Sequence, residues 1–200
     1  VKLHGHANSY IAERVKEQMD RLEHVIFAGF THPPAVELAE RLVKILPDNQ
    51  SRIFFSDNGS TAVEIAIKMA IQYFYNRGEK RHKLIAFDKA FHGETFGAMS
   101  ASGDLSFNNA FKDHLFEVLR IPAPVPGQEE AALQALEEIL ERESVYAFLF
   151  EPLVMGAGGM LMYSPEILDQ LIARCHRHGV LCIADEVMTG FGRTGRWFAV

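Results

Sequence analysis

The stretch that decides the fold is VLCIADEV at residues 180–187, followed by MTGFGRTG at residues 188–195. An apolar run ends abruptly in two carboxylates, Asp185 and Glu186, and three glycines follow within a few positions. A continuous apolar run of this kind is typical of a buried strand in a parallel sheet. Ligands of open α/β sheets bind at the carboxyl ends of the strands. Asp185 is therefore the first candidate for a functional site, whereas Glu186 faces the other way and is expected to serve the structure.

Strands and helices alternate along the rest of the chain. Apolar runs predict strands at residues 51–56, 83–87, 115–119 and 145–150. Helical periodicity and capping residues predict helices that begin near residues 9, 33, 60, 129 and 164. This alternation indicates βαβ units, and therefore an α/β fold with a mostly parallel sheet flanked by helices.

The composition excludes several classes of function. The 200 residues are 48% hydrophobic and carry a formal net charge of −6, without a basic stripe that would displace counterions from nucleic acid. No apolar run is long enough for a membrane span. Cys175 and Cys182 show neither disulfide nor zinc spacing. The histidine pairs at residues 4 and 6 and at residues 176 and 178 are spaced so that their members would lie on different faces of a helix. We therefore expect a cytoplasmic protein with no nucleic acid, no membrane and no metal.

Polar residues follow the carboxyl ends of four predicted strands. They are the segment SDNGST at residues 56–61, Asp88 with the loop at residues 91–93, Glu151 and Asp185. Because the carboxyl ends of parallel strands meet at one edge of a sheet, we expect all four to lie close together.

Gly59 and Ser60 combine a turn with the start of a predicted helix. The free N–H groups and the helix dipole at such a position suit an anion such as phosphate. Gly59 would equally permit a tight turn and Ser60 would equally cap the helix, so both interpretations are open from these residues alone. Gly59 and Ser60 belong to neither a Walker motif nor a G-x-G-x-x-G.

Phe91 and His92 lie in the loop after the strand predicted at residues 83–87. An aromatic side chain beside a glycine can lie flat on a planar ligand, but most aromatic residues after strands belong to the core, which is the favoured interpretation of Phe91 alone. His92 is a candidate general base, although no neighbouring carboxylate in the sequence orients it.

Four stretches together resemble the class III, fold-type I, pyridoxal-phosphate-dependent aminotransferases, and the likeness extends along essentially the whole chain. They are FFSDNGSTAVE at 54–64, FHGETFGAMS at 91–100, EPLVMGAGGM at 151–160 and DEVMTGFGRTG at 185–195. The last stretch is highly specific for this class. The resemblance implies a fold-type I large domain with pyridoxal 5′-phosphate as its cofactor.

The resemblance also implies how individual residues hold this cofactor. Asp185 would pair with the pyridine nitrogen, whose protonated form a nearby carboxylate favours. Gly59 and Ser60 would donate hydrogen bonds to the phosphate. Phe91, at a position that is often tyrosine, would stack on one face of the ring, and Val187 would pack on the other face.

Phe91, Glu94 and Glu151 are the residues that the resemblance implies on the substrate side. Within the class, the strongest likeness is to the enzymes of biotin biosynthesis, which transfer an amino group from S-adenosyl-methionine to 8-amino-7-oxononanoate and give 7,8-diaminononanoate. Met155 and Met188 stand where many relatives have glutamine, which disfavours ornithine or 4-aminobutyrate as substrate. The alternatives are another class III enzyme that uses a diamine or an ω-amino acid with pyruvate or 2-oxoglutarate, and a non-catalytic cofactor-binding module.

The family's organisation supplies the remaining expectations. Residues 1–200 would form the N-terminal half of the cofactor-binding large domain, with residues 1–50 as a helical lead-in, and without the C-terminal half and the small domain. The family's Schiff-base lysine would follow beyond Val200, so we expect this chain by itself to be inactive. The family acts on small molecules as a homodimer, which is the expected state of the full-length protein.

Overall fold

The computed structural model describes residues 3–103 and 106–200. The chain divides into two units, Val1–Phe55 and Ser56–Val200. Residues 1 and 2 of the predicted lead-in lie outside the described residues.

The first unit contains two helices, α1 at Ser9–Met19 and α2 at Pro33–Val43. Side chains cap both N-termini, because Asn8 Oδ1 accepts from Ile11 N–H at 3.1 Å and His32 Nδ1 accepts from Ala35 N–H at 3.2 Å. No residue of α1 and only Ala35 of α2 is buried. The apolar periodicity therefore predicted both helices correctly, but the apolar stripe of α1 is exposed.

A four-stranded parallel sheet organises the second unit. The strands of this unit are β1 Lys83–Phe87, β2 Leu119–Ile121, β3 Val145–Phe150, β4 Val154–Met155, β5 Leu161–Met162 and β6 Leu181–Ala184. The spatial order of the sheet is β2-β1-β3-β6, and every neighbouring pair is parallel. A separate antiparallel pair, β4 and β5, lies in the connection between β3 and the last helix.

Helices cover both faces of this sheet. On one face lie α3 at Gly59–Asn76 and α4 at Phe96–Ala101, and on the other lie α5 at Glu129–Arg142 and α6 at Pro165–Arg177. A 3₁₀ helix at Ser106–His114 precedes β2. Burial on both faces explains why the strands read as continuous apolar runs. The predicted α/β architecture is confirmed, and none of the helices in the described residues combines the length and hydropathy that crossing a bilayer requires.

Two of the strand predictions are wrong. Residues 51–56 form no strand, and Phe54 and Phe55 are exposed, because apolar composition alone does not supply a neighbouring strand to pair with. The strand predicted at residues 115–119 lies at Leu119–Ile121 instead, where each residue has a partner in β1. In both cases pairing with another segment, rather than local sequence, decides the outcome.

Phe148 occupies the centre of the core and supplies a test of this fold. It is fully buried, with its ring 5.2 Å from that of Phe87 and 4.9 Å from that of Phe150. We expect Phe148→Ala to lower the free energy of unfolding by about 3–5 kcal/mol, because buried apolar surface is lost and a cavity remains. Urea denaturation measures this change. The exposed Tyr75 is the control, since Tyr75→Ala should change the unfolding free energy by less than about 0.5 kcal/mol, and equal losses would contradict the assigned core.

Candidate active site

The carboxyl ends of β1, β3 and β6 lie side by side at one edge of the sheet. The segment after β6 continues this pairing for one residue, because Asp185 N–H donates to the carbonyl of Phe150 at 2.8 Å. The loop after β1 reaches the same edge, where Phe91 N–H donates to Glu151. Three of the four predicted strand ends therefore meet as expected. The fourth segment, residues 56–61, meets them without following a strand.

Asp185 forms a buried pair with His92. The Nδ1 atom of His92 donates to Oδ2 of Asp185 at 2.9 Å, and the two side chains are 0% and 6% exposed. Oδ1 of Asp185 accepts from Val187 N–H at 3.2 Å. The Nε2 atom of His92 is also buried and has no hydrogen-bond partner within the described part of the chain. A carboxylate at this depth requires donors, and His92 supplies the charged or polar partner that Asp185 needs.

The carboxylate that binds His92 does not lie close to it in the sequence. Asp185 is 93 residues away and reaches His92 through the sheet, so the pair was not predicted. The available signal was the cost of burying Asp185 at a strand end, which predicts some donor near it. It does not predict which of the polar loop residues that donor is.

The first turn of α3 packs against the loop after β1. Asn58 caps this helix by accepting from Thr61 N–H at 3.0 Å. One residue into the helix, Ser60 Oγ accepts from Glu94 N–H at 3.2 Å. A side chain at Gly93 would overlap Ser60, and Gly93 has a φ of +127°, so glycine is required there on both grounds. The loop thus passes directly over the helix N-terminus.

Val187 closes the arrangement from the side of β6. A methyl group added at Gly59 would lie 3.1 Å from Cγ2 of Val187, so the two residues are neighbours. Val187 is itself 66% exposed. The contacts therefore form a closed series. Ser60 contacts the loop at residues 92–94, this loop contacts Asp185 through His92, and Val187, two residues after Asp185, contacts Gly59. The N-terminus of α3 and the buried carboxylate of Asp185 lie within this series.

Glu151 joins two loops at the end of β3. The side chain is buried, Oε1 accepts from Phe91 N–H at 2.9 Å, and Oε2 accepts from Gly156 N–H at 2.9 Å. Its main-chain carbonyl accepts from the hydroxyl of Tyr163 at 2.6 Å. Both carboxylate oxygens are therefore engaged by main-chain groups, and one of these bonds sets the position of the half-buried Phe91.

The remaining predicted residues differ in exposure. Glu94 is exposed, and its main chain rather than its side chain contacts Ser60. Glu186 takes no part in the pair of His92 and Asp185. Its carboxylate accepts from Thr189 Oγ1 at 2.8 Å and from Ala199 N–H at 2.7 Å, in agreement with the structural role expected for it.

Within residues 3–103 and 106–200, no three side chains of His, Cys, Asp or Glu are grouped to hold a metal ion.

The pH dependence of stability provides a test of the environment of Glu151. Burial raises the pKa of Glu151 above its ordinary value of 4.5, and the hydrogen bonds from Phe91 and Gly156 oppose this change. Because the folded-state pKa lies above the unfolded one, the stability that this group contributes is present below the unfolded pKa and is lost as the pH rises through the folded pKa. As the pH rises above the unfolded pKa, the unfolding free energy of the wild type should therefore fall relative to that of Glu151→Gln.

Urea denaturation at a series of pH values measures this difference. Glu138 on α5 is exposed and serves as the matched control, because Glu138→Gln removes a carboxylate without changing a buried one. An unchanged pH slope in Glu151→Gln would contradict the assigned burial.

Comparison with known proteins identifies the family to which this chain is similar. The class-III aminotransferase family model matches residues 1–200. An adenosylmethionine-8-amino-7-oxononanoate aminotransferase of Synechococcus elongatus is 54% identical over 207 residues, which cover 100% of this chain and 49% of that protein. The chain spans about half the length of the curated relatives it matches.

Solved structures agree with this match. The adenosylmethionine-8-amino-7-oxononanoate aminotransferase of Methanocaldococcus jannaschii superposes with a TM-score of 0.90 at 38% identity, over 97% of this chain and 44% of that one. An (S)-enantioselective omega-transaminase of Thermomicrobium roseum superposes with a TM-score of 0.88 at 33% identity, over 98% of this chain and 47% of that one. The predicted aminotransferase fold is confirmed, and the chain belongs to the class-III aminotransferases.

Proposed function

We propose that the protein containing this chain binds pyridoxal 5′-phosphate between the N-terminus of α3 and Asp185 and catalyses transamination. The observation that carries this proposal is the buried pair of Asp185 and His92 beside the N-terminus of α3. The pair offers a carboxylate to a cationic ring nitrogen, and the helix offers N–H donors to a phosphate. These are the two charged ends of the cofactor.

The donor set at α3 fits a phosphate. Gly59 and Ser60 are the first two residues of the helix, where main-chain N–H groups lack partners within the helix. Ser60 Oγ already accepts from Glu94 N–H, so its own proton is available for donation. Glycine at positions 59 and 93 keeps side chains out of this cradle, since a Cβ at either position would press on a neighbour.

The acceptor set at β6 fits the other end of the cofactor. A pyridinium N–H binds best to a carboxylate whose orientation is fixed. His92 binds one oxygen of Asp185, and Val187 N–H binds the other. His92 therefore acts as the residue that orients Asp185. Phe91 and Val187 are the residues that would pack on the two faces of the ring, in keeping with their half-buried and exposed side chains.

The protein's contribution to the reaction follows from these positions. Pyridoxal phosphate, when bound, supplies the carbonyl group and the electron-withdrawing ring that transamination requires. Asp185 keeps the ring nitrogen charged, which strengthens that withdrawal. The α3 N-terminus anchors the phosphate so that the cofactor stays in place between the two half-reactions. Phe91 and Val187 hold the plane of the ring, and Phe91, Glu94 and Glu151 remain the proposed residues on the substrate side.

For the substrates, we propose 8-amino-7-oxononanoate as acceptor and S-adenosyl-methionine as donor, with 7,8-diaminononanoate as product. The support is that the relatives at 35–54% identity over nearly all of this chain carry names with these two compounds. The omega-transaminase reported above is less similar, at 33% identity. Biotin biosynthesis is the corresponding proposed context.

The organisation of the complete protein is part of the same proposal. Residues 1–200 are the N-terminal half of the cofactor-binding large domain, and the lysine that bonds to the cofactor belongs to a part of the protein other than this chain. We propose a homodimer in the cytoplasm. The free thiols of Cys175 and Cys182 are in keeping with a reducing compartment.

The choice of substrates is tested by a donor comparison in the complete protein. With 8-amino-7-oxononanoate and pyridoxal phosphate present, we expect S-adenosyl-methionine to give 7,8-diaminononanoate at least about tenfold faster than a diamine or an ω-amino acid, a difference of ~1.4 kcal/mol in transition-state binding. Mass spectrometry of the product measures the rate. Faster transfer from a diamine would favour the alternative class III enzyme, and cofactor binding without transfer from any donor would favour a non-catalytic module.

The role of Asp185 is tested by Asp185→Asn in the same protein. The amide oxygen can still accept from His92, so the fold should be retained, but a neutral group no longer favours the charged ring nitrogen. We expect turnover to fall at least about a hundredfold, because each unit lost from the nitrogen's pKa is ~1.4 kcal/mol. Asp169→Asn on the exposed surface of α6 is the control and should leave turnover unchanged. Near-wild-type turnover of Asp185→Asn would refute the role.

A further inference from the structure

The helix α4 has no capping side chain of its own. Thr95 stands at its N-cap position but makes no side-chain bond to the helix. The acceptor comes instead from α3, because Oε1 of Glu64 accepts from Thr95 Oγ1 at 2.5 Å, from Gly97 N–H at 2.6 Å and from Ala98 N–H at 3.1 Å. One carboxylate oxygen therefore satisfies donors that the first turn of a helix otherwise leaves free.

Gly97 is what allows the two helices to approach this closely. A Cβ built on Gly97 would overlap the carboxylate of Glu64. Four residues earlier, a Cβ on Gly93 would overlap Ser60. One glycine in the loop after β1 and one in α4 therefore allow close approach to two polar side chains of α3.

Ser60 and Glu64 are four residues apart on α3 and lie on the same face of the helix. Ser60 Oγ accepts from Glu94 N–H, and Glu64 accepts from the next residue, Thr95. These bonds fix the register of the loop along the helix turn that we propose for the phosphate. They act together with the bonds that Phe91 and His92 make at the other end of the loop.

Helix α4 carries this constraint back to the buried pair. At its other end, the guanidinium of Arg120 donates to the carbonyls of Ser100, Ala101 and Ser102. Ser102 Oγ in turn accepts from the main-chain N–H of His92 at 2.9 Å. A path of direct contacts therefore runs from Glu64 through α4 and Ser102 to the residue that orients Asp185.

We propose that Glu64 is a positioning residue that holds the loop at residues 91–95, and with it His92 and Phe91, in register with the phosphate end of α3. It contacts α4 and Thr95 rather than the cofactor. This inference rests on the proposed binding of pyridoxal phosphate at that site. Its consequence is that a change at Glu64 alters how the cofactor is held, beyond any change in stability.

Two substitutions of Glu64 in the complete protein test whether its role is to accept these three hydrogen bonds. Glu64→Gln keeps an oxygen that can accept all three bonds, so its dissociation constant for pyridoxal phosphate should stay within about fivefold of wild type. Glu64→Ala removes the acceptor, and we expect its dissociation constant to rise at least about tenfold. Titration measured by absorbance gives both constants. Glu138→Ala, an exposed change on α5, is the control and should bind as the wild type does.

The orientation of the bound cofactor supplies the readout that a purely structural role would not alter. At saturating pyridoxal phosphate, the induced circular dichroism of the cofactor should change in Glu64→Ala and be retained in Glu64→Gln. If Glu64→Ala lowers the free energy of unfolding but leaves both the dissociation constant and the circular dichroism at wild-type values, the proposal is overturned.

A second pair of variants tests the contact itself. Gly97→Ala should weaken cofactor binding in the wild-type background, because the added methyl group displaces the Glu64 carboxylate. In the Glu64→Ala background the same change should cost little further affinity, since the obstructing carboxylate is gone. Equal losses in the two backgrounds would overturn the proposed contact. Failure of the wild type to bind pyridoxal phosphate would instead overturn the proposed function, so the two failures are distinguishable.

Discussion

A carboxylate at the end of a hydrophobic strand is stable only if donors replace the water that it loses, and the bond between His92 and Asp185 meets that need. It joins β6 to the loop after β1 across the edge of the sheet. Because the side chains of both residues are almost completely buried, neither can move without leaving the other unpaired. Together with the bonds that Glu151, Ser102 and Glu64 make to the same loop, this interaction fixes the position of the loop and of its contacts with α3.

Three charged side chains near the site, Glu151, Glu64 and Arg120, bind main-chain groups. Glu151 and Glu64 each accept from two main-chain N–H groups of the segments around the site. Arg120 donates to main-chain carbonyls on the opposite end of α4, and burial lowers its pKa to about 10, so it stays charged at neutral pH. These bonds tie the loops around the proposed site to the sheet and to α3.

The accuracy of the sequence-based predictions varied with how local the deciding interaction was. The bounds of β1 and β3 were predicted to the residue, because each strand is a nearly unbroken apolar run. Residues 51–56 contain a shorter apolar run and have no partner strand, and β2 lies where β1 can pair with it. Phe91 was favoured as a core residue on its own and is half-buried, since Glu151 holds its main chain at the surface of the site.

The sequence by itself determined the α/β class, the family, and the residues that gather at the carboxyl edge of the sheet. Those properties follow from hydrophobic periodicity, strand-end position and motifs, all of which are local. Only the tertiary structure decided that His92 orients Asp185, that Glu151 fixes Phe91, and that Glu64 caps α4. These contacts join segments 31–93 residues apart, and the chain brings such segments together only when the sheet and its covering helices have formed.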